Sequence, residues 1–166
     1  MRSMAIKINV SRNDQEAIND LLEKSGYKRQ RRKHHCTLGF IDKMIPDEEA
    51  VSVGDALSAA LQKQIKIQKP YFEIEGVRFL FKHVIAFVPT EPSYTILTEM
   101  NAWLFDEVKR LSKGDFELNQ STIAESYKPH MTLHRTRHLD SRFDKLDELT
   151  KSHQSFPLKE AAFVIL

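Results

Sequence analysis

A single cysteine in 166 residues, Cys36, leaves no partner for an internal disulfide and rules out a multi-cysteine metal site. A reducing compartment fits that usage. The amino terminus has no apolar leader, and no hydrophobic run approaches the length of a membrane span. A cytoplasmic location with no membrane contact is therefore expected. Charge of neither sign dominates, because 25 lysines and arginines stand against 23 aspartates and glutamates, a net of +2. No global field attracts a polyanion, and nucleic-acid contact would have to come from a local patch. Glycine, proline and serine form no linker-like stretch. One domain over residues 1–166 is the expectation, long enough to bury a sizeable core.

What is present is ordinary in bulk, 41% hydrophobic and 29% charged, and informative in its arrangement. Ala5 to Val10 alternates Ile6, Ile8 and Val10 with Lys7 and Asn9, the period of a half-buried strand. Ser11 or Asn13 can cap a helix with Ala17, Ile18, Leu21 and Leu22 on its inner stripe, stopped by Gly26. A second strand spans roughly 33–41. Pro46 opens a helix carrying Val53, Leu57, Ala60, Leu61 and Ile65. Strands at 71–81 and 84–88 follow, then the longest helix from Pro92 and Ser93, with Trp103 packing near its apolar face. Residues 112–128 read as a loop with one short β-like piece at 116–118. The remainder gives a strand at 130–135, a short helix holding Leu139, Phe143, Leu146 and Leu149, and a strand at 161–166. The mixed order and short connections predict an α+β fold with mostly antiparallel pairing.

One tetrapeptide recurs. His35-Cys36-Thr37-Leu38 returns 95 residues later as His130-Met131-Thr132-Leu133, each copy followed by a helix, as in two related halves. On a strand, His35 and Thr37 share one face while Cys36, Leu38 and Phe40 share the other; His130 and Thr132 likewise oppose Met131 and Leu133. Two such strands would offer two imidazoles and two hydroxyls to a cleft. That set suits transfer at phosphorus. A neutral imidazole takes a proton from attacking water, a protonated one gives a proton to the leaving oxygen, and the hydroxyls stabilise the non-bridging oxygens. The scheme needs no metal and no cofactor.

The strings His35-Cys-Thr-Leu-Gly-Phe-Ile41 and Lys128-Pro-His130-Met-Thr-Leu-His-Arg135 resemble the paired motifs of the 2H phosphoesterase superfamily. The nearest pattern is the branch called 2′-5′ RNA ligase or RNA 2′,3′-cyclic phosphodiesterase. The resemblance implies a bilobal, pseudo-twofold fold, with two mostly antiparallel sheets lining a central cleft and helices packed outside. It also implies His35 and His130 as the acid–base pair, with Thr37 and Thr132 holding the phosphate. Which histidine is the base stays open. Substrates implied are 2′,3′-cyclic phosphates, ADP-ribose cyclic phosphate or 2′-5′ linked oligonucleotides, with RNA 3′-end trimming as a variant. The family usually has a small residue where this chain has His134, which would face the cleft and is expected at its rim.

The basic run Lys28, Arg29, Arg31, Arg32, Lys33 leads into the first motif, and Arg135, Arg137 and Arg142 follow the second. Arg32 and Arg135 are the expected phosphate contacts, which add affinity without reading sequence. The expected partner is thus RNA, an oligonucleotide or a cyclic nucleotide, bound by a monomer with no obligatory protein partner. Two rivals remain. His130, His134 and His138 at spacing four would form a zinc stripe on a helix. A non-catalytic nucleotide-binding module would use the same cleft without turnover. Among the other candidates, Cys36 reads as a buried inert thiol, His34 as structural or solvent-exposed, and His83 and His153 as surface histidines. Tyr71, Phe72, Phe79 and Phe81 could stack on a base, but strand aromatics favour the core.

Overall fold

The computed structural model describes residues 1–166. The chain begins with β1 (Arg2–Val10) and α1 (Arg12–Ser25). Ser11 caps α1 by accepting from the Asp14 amide, and Gly26 ends it in a left-handed conformation. There follow β2 (His35–Ile45), a 3-10 turn at Asp47–Glu49, α2 (Ala50–Gln68), β3 (Tyr71–Leu80), β4 (Val84–Pro89) and α3 (Glu91–Ser112). After two 3-10 turns, Gln120–Thr122 and Ala124–Ser126, come β5 (Met131–Arg135), α4 (Ser141–Leu149) and β6 (Ser155–Ile165). The class is α+β. No helix is long and apolar enough to cross a membrane.

All strand pairs are antiparallel, and the six strands link in one hydrogen-bonded order, β2-β1-β6-β3-β4-β5. Two sheets were expected from the family pattern, whereas the ladder is a single six-stranded sheet. Its middle link is narrow. β3 meets β6 only at Tyr71–Pro157, Phe72–Phe156 and Glu73–Ser155, before turning its remaining length to β4. The strands that carry the two motifs, β2 and β5, are the outermost in the order, yet they lie in contact and line one cleft. The ladder therefore curls until its ends meet. One continuous apolar cluster joins Ile6, Ile8 and Leu38 to Phe72, Phe87 and Met131 and to Leu57, Leu61, Leu97 and Leu104 of the helices.

Several boundaries differ from the expectations, each for a local reason. β6 starts at Ser155, six residues early, because Pro157 sits at an exposed position while Phe156 and Leu158 alternate into the core. Phe116 and Leu118 form no strand; they are buried side chains of a loop. Leu139 precedes α4 and is exposed, and Ala17 also faces outward. Phe40 does not share the face of Cys36 and Leu38. A bulge intervenes, with Lys7 opposite Thr37 but Ile6 opposite Gly39, so that Gly39 and Ile41 take the inward positions and Phe40 the outward one.

Candidate active site

The second motif strand carries a matching irregularity. Ala86 lies opposite Thr132 and Ile85 opposite His134, so Leu133 is the extra residue, as Leu38 is in β2. Both leucines are buried, and in both motifs the threonine before the bulge stays half-buried on the cleft side. Bulges re-aim side chains where a ladder must end or bend. Here each inserts one buried leucine directly after a cleft-facing threonine, and pairing resumes at Gly39 and at His134.

The histidines are held alike. His35 Nδ1 lies 3.0 Å from the Lys33 carbonyl, and His130 Nδ1 lies 2.8 Å from the Lys128 carbonyl, two residues back in each case. A carbonyl only accepts, so Nδ1 carries the proton in the neutral ring. Nε2 is then the atom left for chemistry, and neither Nε2 has a partner within the protein. The hydroxyls of Thr37 and Thr132 likewise make no internal hydrogen bond. All four side chains line one cleft of about 560 Å³, together with Arg32, Arg135, His34 and His134. Burial is the main force holding the His35 pKa below its ordinary value. The Lys33 carbonyl opposes that shift, while Lys7 and His130 add to it. Burial thus favours the neutral form of His35.

The six residues expected to act together, His35, Thr37, His130, Thr132, Arg32 and Arg135, all reach this cleft. The rest of the basic run does not act as a block. Arg29 is taken up by Glu16, Asp20 and Glu23 of α1, and Lys33 by Glu160 at 2.9 Å. Arg32 and Arg135 have no carboxylate partner and remain available to an anion. Arg142 pairs with Asp140 and lies 4.6 Å over the Tyr27 ring, and Arg137 is exposed outside the cleft. His134 is half-buried in the cleft wall, with its ring 5.0 Å from that of Tyr27. The zinc stripe does not form. Residues 131–135 are strand, His138 lies exposed beyond it, and no three His, Cys, Asp or Glu side chains cluster closely enough to hold a metal ion.

Several residues that build the site were not foreseen. Gln15 and Asn19, one turn apart on α1, are buried amides that clamp the segment before β2. The Gln15 amide donates to the carbonyls of Gln30 and Arg32, and its oxygen accepts from the His34 backbone at 2.6 Å. Asn19 accepts from the Gln30 backbone and sits 2.9 Å from His34 Nε2. His34 is only 3% exposed, and burial with His35 nearby pushes its pKa down to about 4. It is structural. The signal was two polar residues on the apolar stripe of a helix. Tyr127 is buried, and its hydroxyl donates to the Thr37 carbonyl at 2.9 Å, which ties the approach to the second motif onto the first. Cys36 is fully buried and its thiol is pushed up to about 11, as befits an inert core side chain. Lys7 and Asn9 do not face bulk water, as strand alternation had suggested. Asn9 is buried opposite His35, and half-buried Lys7 lies opposite Thr37 with no carboxylate in bonding reach.

Compared with known proteins, no protein-family model matches the chain, and no curated protein matches it significantly.

Proposed function

We propose that the chain is a metal-independent phosphodiesterase of the 2H type, acting on 2′,3′-cyclic phosphate ends of RNA or oligonucleotides. The observation that carries the reading is the twin anchoring of His35 and His130. Two rings fixed through Nδ1 present two unpartnered Nε2 atoms to one cleft, beside two unpartnered threonine hydroxyls. A cleft built only for binding has little use for two titrating imidazoles on matching tethers. The bulges after both threonines, and the narrow junction between β3 and β6, support a reading as two related lobes facing each other.

In ring opening, neutral His35 accepts a proton at Nε2 from water as the water oxygen bonds to phosphorus. Protonated His130 donates from Nε2 to the ribose oxygen whose bond to phosphorus breaks. The product is a phosphomonoester and a free ribose hydroxyl, with the proton inventory of the histidine pair exchanged. Thr37 and Thr132 donate to the non-bridging oxygens as charge builds there, and Arg32 and Arg135 neutralise neighbouring phosphates. His35 takes the acceptor's part because burial favours its neutral form.

The test is incubation with an RNA ending in a 2′,3′-cyclic phosphate in the presence of EDTA, with products resolved by mass and by phosphatase sensitivity. Ring opening that survives EDTA and collapses in His35→Ala and His130→Ala is the expected result. No turnover would remove cyclic ends and direct the assay to 2′-5′ oligoadenylate and linear RNA 3′ ends. Turnover abolished by EDTA would refute the metal-free scheme.

A further inference from the structure

Of the four aromatics between Tyr71 and Phe81, three pack inward or lie half-buried, whereas Phe81 is 54% exposed. It occupies the hairpin turn between β3 and β4, where Phe81 and Lys82 both adopt left-handed backbone, at φ +53° and +63°. Two successive positive φ angles define a turn that favours Asn, Asp or Gly, and a bulky aromatic is among the poorest choices there. Three hydrogen bonds enforce the conformation. The His83 amide donates to the Leu80 carbonyl at 3.1 Å, His83 Nδ1 donates to the Phe81 carbonyl at 2.7 Å, and the Thr136 amide donates to the His83 carbonyl at 3.0 Å. These bonds hold Phe81 at the turn with its side chain exposed.

That turn lies at the edge of the candidate active site. The Phe81 ring centroid lies 5.5 Å from that of His130, with the ring planes at 64°. Phe81 also walls a second cavity of about 240 Å³, whose lining includes Thr37 and His130 and, on the far side, Ser121, Ser126 and Lys128. Thr37 and His130 belong to both cavities, so a ligand whose phosphate lies at the histidine pair can extend past them into the second cavity. The two spaces differ in character. The larger holds the free guanidinium groups of Arg32 and Arg135; the smaller offers one exposed aromatic face against hydroxyls and an ammonium.

We propose that Phe81 is a stacking platform for a nucleobase, specifically the base of the nucleoside whose phosphate lies at His35 and His130. Resting on the phosphodiesterase reading for its orientation, this gives the substrate a polarity. The terminal base enters the cavity beside Phe81 and His130, and further phosphates of the strand run toward Arg32 and Arg135. Stacking tolerates any base, since each has a π-face, while Ser121, Ser126 and Lys128 are placed to bond with base edges.

The experiment compares binding of adenosine 2′-monophosphate and of inorganic phosphate to wild-type protein, Phe81→Asn and Phe81→Trp, by NMR titration. Asparagine tolerates left-handed backbone, so Phe81→Asn should melt no lower than wild type. Wild type should prefer the nucleotide, with the Phe81 ring resonances shifting upfield. Phe81→Asn should weaken nucleotide binding about 5- to 140-fold, the range of base–aromatic stacking, and Phe81→Trp should retain it. Equal affinity of wild type for nucleotide and phosphate, or nucleotide binding by Phe81→Asn at wild-type strength, overturns the proposal. Ring-opening assays separate the two readings. Nucleotide bound through Phe81 without turnover sustains the platform and sinks the catalytic reading, and cyclic-end turnover by Phe81→Asn at wild-type KM does the reverse.

Discussion

Acidification should destabilise this protein through His34, and the size of the effect follows from its surroundings. The ring is almost fully enclosed between α1 and the two motif strands, and its Nε2 lies 2.9 Å from Asn19 Oδ1. Burial lowers the folded-state pKa from 6.5 to about 4. The unfolded chain therefore binds a proton that the native state excludes across that interval. His34 costs nothing well above pH 6.5, and the penalty grows as pH falls, reaching its full value below about 4. The full difference is about 3 kcal/mol, of which about 2 kcal/mol develops between pH 7 and pH 5. Urea unfolding at those two pH values, for wild type and for His34→Gln, isolates it. The amide of glutamine keeps an N–H for Asn19 but does not titrate. Carboxylates and the other six histidines titrate in both proteins and drop out of the difference. Wild type should lose about 2 kcal/mol more than the variant on going to pH 5. Equal losses would refute the argument that the neutral form is locked in place.

The remaining predictions concern the site, the core and the thiol. The acid limb of kcat/KM should have its midpoint below the ordinary imidazole value of about 6.5, because His35 must be neutral and burial favours that form. A limb at or above 6.5 would remove His35 as the base. Gly54→Ala should destabilise despite a helix-propensity gain of about 1 kcal/mol. The added Cβ would stand 2.4 Å from Phe163 ring carbons, and overpacking costs about 1–3 kcal/mol; a raised melting temperature would contradict this. Cys36, fully buried with its thiol pushed up to about 11, should resist iodoacetamide in the native state at pH 8 and react only as the chain unfolds. Labelling at the rate of a free thiol would show that the strand opens locally.

The legible parts of the chain were those with a period or a cap. Ile6, Ile8 and Val10 gave β1, Ser11 and Gly26 bounded α1, and the repeated His-x-Thr-Leu placed its four polar side chains on strand faces that do meet in one cleft. Alternation then misled in two ways. It cannot register a bulge, so Phe40 was assigned the wrong face, and it treats the polar side of β1 as solvent, although Asn9 is buried beneath the cleft. Buried amides such as Gln15 and Asn19 have no periodic signature beyond being out of place on an apolar stripe. Phe81 reads as the end of a strand with a side chain that favours the core, whereas it lies in the turn after β3 and is exposed, in a turn type that its own sequence disfavours.

The relative placement of the two histidines is the least legible feature, for a reason inherent in the topology. β2 pairs only with β1 and β5 only with β4, so backbone ladders hold each motif strand from one side and fix nothing across the cleft. The crossing bonds come from other groups. Asn101 of α3 donates both amide protons, to the carbonyls of Leu38 and Thr122 at 2.6 Å each, and the Asn119 amide donates to the Phe40 carbonyl. Tyr127 adds its bond to Thr37. These links satisfy carbonyls and amides on the free edge of β2 and moor the loop that leads to His130. Each is worth about 0.5–1.5 kcal/mol net, yet leaving a buried partner unsatisfied costs about 1–3 kcal/mol. A few polar side chains without sequence periodicity thus hold together two strands that the sheet leaves at opposite ends of its order. On the phosphodiesterase reading, removing one of these links should lower the rate of ring opening as well as stability, because a misplacement of about 1 Å can cost about 100-fold in rate.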